Sequence, residues 1–167
     1  MAERRIDTFL FEDDGKIPNN PTLPLLIYTQ VLDGRTGEAK SIFDQNDWKN
    51  SWVGGVFGYH HYHSNTHEVL GVISGEALLQ FGGEAGKQVK VTAGDTVVIP
   101  AGVGHKNIQS SNDFKVIGAY PDGSGFDLKT GKAEEREEAI QNIKEVPLPK
   151  ADPLFGDDTI FTHWKED

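Results

Sequence analysis

The chain has 167 residues, enough for one domain with a sizeable core, and its 37% hydrophobic content with 19 glycines is that of a globular protein. A formal charge of −10 argues against a nucleic-acid surface, which needs clustered Lys and Arg, and disfavours docking on anionic membranes. There is no cysteine, so disulfides and thiolate metal sites are excluded, and any metal must be held by nitrogen and oxygen ligands.

The N-terminal "MAERRIDTFLFEDDG" holds an apolar run too short for a signal peptide, and no stretch reaches the roughly twenty apolar residues of a membrane span. A soluble, cytoplasmic protein is expected. "GKIPNNPTLP" is proline-rich and predicts an extended segment lying over the surface. "LLIYTQVL" predicts a strand with Leu25, Ile27, Thr29 and Val31 on one face. "SIFDQNDWKNSW" places Trp48 and Trp52 four apart, as on one face of a short helix.

Further on, "ALLQF" ends at Gly82-Gly83, "KQVKV" at Ala93-Gly94-Asp95, "TVVIP" at Pro100 and "FKVIGAY" at the turn residues around Asp122. Turn chemistry roughly every eight to twelve residues predicts hairpin-connected antiparallel strands in an all-β sandwich or barrel. "KAEEREEAIQNIKEV" spaces Arg136, Ile140 and Ile143 at helical intervals, has acids in its first turns and stops before Pro147. The proline-rich C-terminus carries Phe155, Phe161 and Trp164, an arm packed either on its own barrel or on a second subunit, so a homodimer stays open. The expected plan is a single domain over 1–167. Residues 1–52 form N-terminal strands and a short helix, 53–128 the barrel core, and 129–167 a C-terminal helix and arm.

The densest chemistry lies in "GYHHYHSNTHEVLGVISG". A helix there would stripe His60, His63 and His67, but the glycines, aromatics and β-branched residues on both flanks favour strands. The helical zinc motif also fails, because His67-Glu68 is followed by Val, Leu and Gly where a second histidine is needed. Strand alternation puts His61 and His63 on one face with Val53, Phe57 and Tyr59, and His60 and Tyr62 on the other. Glu68 shares an inward face with Leu70 and Val72, while His67 is thrown to the opposite side, at the surface or behind the ligands. His105 opens a strand after a tight turn at Ala101–Gly104, well placed to reach a metal held by the neighbouring hairpin. Asn107 and Gln109 follow it on the same face.

These residues carry a family resemblance. Gly55, five residues, His61, one residue, His63, four residues, Glu68, six residues and Gly75 resemble the first motif of the cupins, at 55–75. Gly94, five residues, Pro100, one residue, Gly102, two residues and His105 resemble the second, at 94–109, with eighteen residues between the motifs. Gln109 stands where the second motif usually ends in Asn. "HYHSNTHEVLGV", "LQFGG" and "GAYP" extend the resemblance, over most of the chain, to small bacterial cupins of the YjlB type. It implies an all-β cupin barrel, the double-stranded β-helix or jelly roll, with short flanking helices and an extended C-terminal arm. It also implies one divalent transition metal ion held by His61, His63, Glu68 and His105.

Neutral imidazoles and one carboxylate around such an ion leave a net positive charge and open positions, suited to Fe, Mn, Ni, Cu or Zn. A small anionic or oxygen-chelating molecule is the expected ligand, and a metal-dependent dioxygenase or isomerase the leading function, with a non-catalytic binding or sensor module as the alternative. Tyr59, Asn107, Gln109 and Tyr120 are expected around the substrate pocket, along with Phe57. Core packing is the plainer account of Phe57 and Tyr120.

Overall fold

The computed structural model describes residues 5–165. In chain order it contains β1 (Ile6–Phe9), β2 (Leu25–Tyr28), α1 (Ala39–Gln45), β3 (Trp48–Gly54), β4 (Glu68–Ser74), β5 (Glu76–Phe81), β6 (Lys87–Thr92), β7 (Thr96–Ile99), β8 (His105–Ser110), β9 (Lys115–Pro121) and α2 (Arg136–Glu145). The strands form two antiparallel sheets, six strands in the order β1-β2-β7-β4-β9-β3 and three in the order β6-β5-β8. This is the jelly-roll barrel. Among the described residues no helix is long and apolar enough to cross a membrane.

The four middle strands of the larger sheet, β2, β7, β4 and β9, are buried on both faces, which explains why they read as nearly continuous apolar runs. In β2, Leu25 and Ile27 face the barrel interior with Leu70, Val72, Leu79, Phe81, Val97 and Val116. Leu26 and Tyr28 face the other way, into a second core with Phe43 of α1, Trp48, Val69, Val98, Ile160 and Trp164. α1 packs so close that a Cβ on Gly71 would lie 3.1 Å from the Phe43 ring. The C-terminal arm belongs to this outer core. Trp164 is fully buried and donates its indole N–H to the Pro24 carbonyl at 2.8 Å, so of the two expected partners the arm has its own barrel.

Several expectations are corrected. The strand from Leu25 stops at Tyr28 instead of running on through Val31, because Gln30 takes a positive φ of 56° and gives its N–H to Asp95 Oδ1 at 2.9 Å. Trp48 and Trp52 do not lie on a helix: α1 ends at Gln45, Asp47 turns the chain at φ 64°, and both tryptophans belong to β3. They also point to opposite sides of the sheet. Lys49 pairs with Tyr120 but Trp52 with Gly118, so β3 spends three residues where β9 spends two. The extra residue reverses strand parity. Trp48 enters the outer core, Trp52 packs at the inner one, and Val53, expected inward, is 59% exposed. In α2 the buried face is Ala139 and Ile143 rather than Ile140.

The N-terminal segment does more than lie over the barrel. Asn19 accepts the Gly104 N–H on Oδ1 and donates to the carbonyls of Glu12 and Gly82, while Asn20 donates to the Ala101 carbonyl. Both are buried. They fix the turn that delivers His105.

Candidate metal centre

Three imidazoles come together from two stretches of chain. His61 and His63 flank Tyr62, so alternation sends both inward while Tyr62 turns away to pack with Ile17 and Ala139. The stretch is clamped on both sides. His61 and His105 exchange backbone hydrogen bonds of 3.2 and 2.9 Å, and Tyr62 and Lys129 exchange two of 2.9 Å. From the central strand, Glu68 opens β4 opposite Ile99.

Glu68 Oε1 lies 3.5 Å from Nε2 of His63 and 3.5 Å from Nε2 of His105. The candidate ligand atoms of these three buried residues all lie within 4.8 Å of one another. His61 stands beside the group and outside it, with its ring centroid 4.0 Å from that of His105 and 6.3 Å from that of His63.

Each imidazole places Nδ1 against a backbone carbonyl: His61 against Tyr59 at 2.9 Å, His105 against Val103 at 3.2 Å, and His63 against Asp127. A carbonyl only accepts, so Nδ1 carries the proton and, in the neutral ring, Nε2 keeps its lone pair. At His63 and His105 that lone pair faces a carboxylate oxygen, and the other Glu68 oxygen, Oε2, is buried with no hydrogen-bond partner. Such an arrangement of donors is costly unless positive charge stands between them, either protons on Nε2 or a cation. A divalent ion with nitrogen and oxygen ligands fits this donor set.

Charge orders the cluster. Burial opposes ionisation of Glu68, but the hydrogen bonds and charge of His105 and His63 outweigh it and hold its pKa far below the carboxylate range. Burial likewise opposes protonation of His63, and Glu68 prevails there, raising its pKa. For His61 burial and repulsion from His105 outweigh the Tyr59 carbonyl and the Glu68 charge, so its pKa falls to about 3. Tyr120 accepts the Trp52 indole N–H at 2.8 Å, while burial and the Glu68 charge push its hydroxyl well above the usual range.

The cluster lies at the end of a cavity of about 320 Å³, with Trp52, Val56, Phe57, Leu70, Tyr120, Phe126 and Leu128 in its lining. Of the four residues expected around the pocket, Tyr120 is in that lining and Tyr59, Asn107 and Gln109 are not. Tyr59 stacks on the outside of Phe57, with centroids 5.1 Å apart, over a shallow depression beside His60 and Glu84. Leu78 pairs with Gln109 and Leu79 with Asn107, so Ile108 is an extra residue that breaks the expected alternation, and Gln109 is exposed. Phe57 is 52% exposed at the cavity mouth, not packed in the core.

The other histidines divide. His60 pairs with Glu84 at 2.6 Å near the surface. His67, expected at the surface or behind the ligands, is fully buried against Trp164, where it accepts the Ala101 N–H at 2.9 Å and donates to the Pro147 carbonyl at 3.1 Å. Sequence reasoning missed Phe126 and Leu128, which follow the glycine-rich turn after β9. Their alternation in "FDL" was the available signal.

Comparison with known proteins bears on identity. Residues 51–117 match the family described as Cupin domain. The chain is 55% identical over 154 residues to the "Uncharacterized protein YjlB" of Bacillus subtilis (strain 168), covering 92% of this chain and 93% of that protein. The chain belongs to the cupin family, as a YjlB-type cupin. Similar solved structures include the dTDP-6-deoxy-D-glucose-3,5-epimerase RmlC of Legionella pneumophila, at 14% identity and a TM-score of 0.42, covering 87% of this cupin and 86% of that chain. Another is the acireductone dioxygenase of Bacillus anthracis with cadmium ion in its active center, at 18% identity and a TM-score of 0.36, covering 63% and 64%. Likenesses of this extent say nothing of activity here.

Proposed function

We propose that this cupin is a metal-dependent enzyme acting on a small anionic or oxygen-chelating molecule, as a dioxygenase or an isomerase. The observation that carries this reading is the buried carboxylate oxygen shared by two imidazole nitrogens, 3.5 Å from each, in the lining of a largely apolar cavity. His63, Glu68 and His105 would hold the ion and His61 would complete the set. A bound Fe, Mn, Ni, Cu or Zn ion would supply Lewis-acid polarisation of a substrate oxygen or, for a redox metal, oxygen activation.

The chain's own residues supply the rest. The carbonyls of Tyr59, Asp127 and Val103 fix the tautomer and orientation of the three imidazoles. Tyr120, held protonated and already accepting from Trp52, keeps its O–H as a donor in the cavity wall. The apolar lining excludes water and strengthens every polar contact within it.

Elemental analysis of protein purified without chelator or added metal tests the reading. About one equivalent of a transition metal, lost in His63→Ala, is the expected result, and no metal after incubation with each of the five ions would overturn it. Iron with substrate-dependent oxygen uptake would select the dioxygenase, and zinc or manganese without uptake the isomerase.

A further inference from the structure

The cavity's lining also limits what it can bind. Its polar groups cluster at one end: His61, His63, Glu68 and His105, with the Tyr120 hydroxyl beside them. The remainder is the apolar wall of Trp52, Val56, Phe57, Leu70, Phe126 and Leu128, and among the described residues no lysine or arginine lines the cavity. Recognition of a phosphate, a diphosphate or a second carboxylate needs such a cation, since a buried anion without one bears its full desolvation cost. The chain's net charge of −10 adds long-range repulsion of polyanions. The volume of about 320 Å³ is at the low end for ligand pockets, room for a ring-sized body and a short polar head.

The part of the wall nearest solvent is built as a strap. After β9 the chain turns through Gly123, at φ 70°, and returns across the mouth with Phe126 and Leu128. Phe126 stacks on Tyr120 at 4.8 Å and meets the His63 ring edge-on at 5.1 Å. Between them Asp127 anchors the strap: its carboxylate accepts the N–H and hydroxyl of Ser64, and its N–H donates to Asn65 Oδ1. Phe126 and Leu128 are nevertheless 48% and 42% exposed, so two large apolar side chains are held over the opening with much of their surface still in water. A ligand's apolar body would cover that surface.

We propose that the site takes a ligand with a two-oxygen, singly anionic head and an uncharged apolar body about the size of an aromatic ring, and that Phe126 and Leu128 determine this preference. The proposal rests on the metal reading above and adds the class of molecule. Phe126 and Leu128 select the body, and Tyr120 orients the head by hydrogen bonding.

The test uses the full chain loaded with cobalt(II), with metal content measured first. Acetohydroxamate, benzohydroxamate and 4-carboxybenzohydroxamate share one chelating head and differ only in the body. Each is titrated by the change in cobalt absorption and referred to its affinity for free cobalt(II). Benzohydroxamate should bind at least about tenfold more tightly than acetohydroxamate, as burial of a ring predicts. The added carboxylate should cancel that gain. Phe126→Ala and Leu128→Ala should each cut the phenyl preference, the ratio of benzohydroxamate to acetohydroxamate affinity, severalfold. Equal binding of the first two probes, tighter binding of the carboxylated one, or a preference untouched by both variants would overturn the proposal. A chain that takes up no cobalt would overturn the metal reading and this proposal with it, and that result appears before any hydroxamate is added.

Discussion

The indole N–H of Trp52 donates to the Tyr120 hydroxyl at 2.8 Å, although the two residues sit on adjacent strands in positions that a regular ladder would not bring together. The bulge in β3 makes the contact by turning Trp52 inward opposite Gly118. A Cβ at 118 would lie 2.4 Å from the indole, so the ring rests on β9 because that residue has no side chain. The pair lines one side of the cavity, with the tyrosine hydroxyl beside the Glu68 carboxylate.

Gly118→Ala should therefore displace Trp52 and cost about 1–3 kcal/mol, the range for forcing a methyl into a packed core. Urea unfolding gives the cost, and near-UV circular dichroism reports the indole's displacement. A variant of parental stability with an unchanged near-UV spectrum would show that the indole does not rest on this glycine.

Tyr120→Phe keeps the ring and removes the hydroxyl. It should leave metal content unchanged and cost about 1 kcal/mol, because the half-buried Trp52 N–H loses its acceptor. Benzohydroxamate affinity of the metal-loaded protein should drop severalfold. Unchanged affinity with the same stability loss would reduce Tyr120 to a wall residue.

The inward set at the site was legible in the sequence because strand parity is local: His61 and His63 share a face whatever surrounds them, and Glu68 shares one with Leu70 and Val72. Where parity was extrapolated across an inserted residue it failed. The bulge at Ile108 removed Gln109 from the pocket, and the one between Lys49 and Trp52 separated two tryptophans that a helical spacing had paired. Both depend on pairing with a distant strand, which one segment does not encode. His67 was misplaced for a related reason. Parity does turn it away from the ligands, but the outer face of β4 is not solvent, because α1 and the C-terminal arm cover it.

His67 thus becomes a stability determinant. Its imidazole joins the Ala101 turn to the Pro147 carbonyl under the Trp164 ring. His67→Ala should cost about 3–5 kcal/mol, combining two unpaired backbone groups with a cavity. His67→Gln, which can both accept and donate, should recover part of it. Metal content of the folded fraction should stay near that of the parent. An alanine variant within 1 kcal/mol of the parent in urea unfolding would contradict the burial seen here.

Asp152 gives a pH dependence of definite sign. It is fully buried, accepts the Tyr28 hydroxyl at 2.7 Å and the N–H groups of Leu154 and Phe155, and burial raises its pKa above the usual 3.8 despite those bonds. The folded state thus holds this proton more tightly than the unfolded chain does. Its contribution to stability is greatest in acid and declines as pH rises from 3.8 through the folded pKa. Asp152→Asn cannot titrate. The difference in unfolding free energy, variant minus parent, should move in favour of the variant over that interval and then level off. Urea unfolding at a series of pH values measures it, and a flat or opposite trend would refute the assignment.

The four candidate ligands should not be equivalent. His63, Glu68 and His105 have their donor atoms within 4.8 Å of one another, whereas His61 stands outside that group with its ring against His105. Burial and the neighbouring imidazole hold His61 neutral, so its free Nε2 can complete a coordination set that the other three establish. His63→Ala, His105→Ala and Glu68→Gln should each abolish stoichiometric binding. His61→Ala should retain an ion with affinity lowered roughly ten- to a hundredfold, as for a group that supports a site it does not define. Competition against a chromophoric chelator separates the two classes. Equal loss in all four variants would mean that His61 moves fully into the cluster when the ion binds, and no loss in His61→Ala would leave a three-residue site.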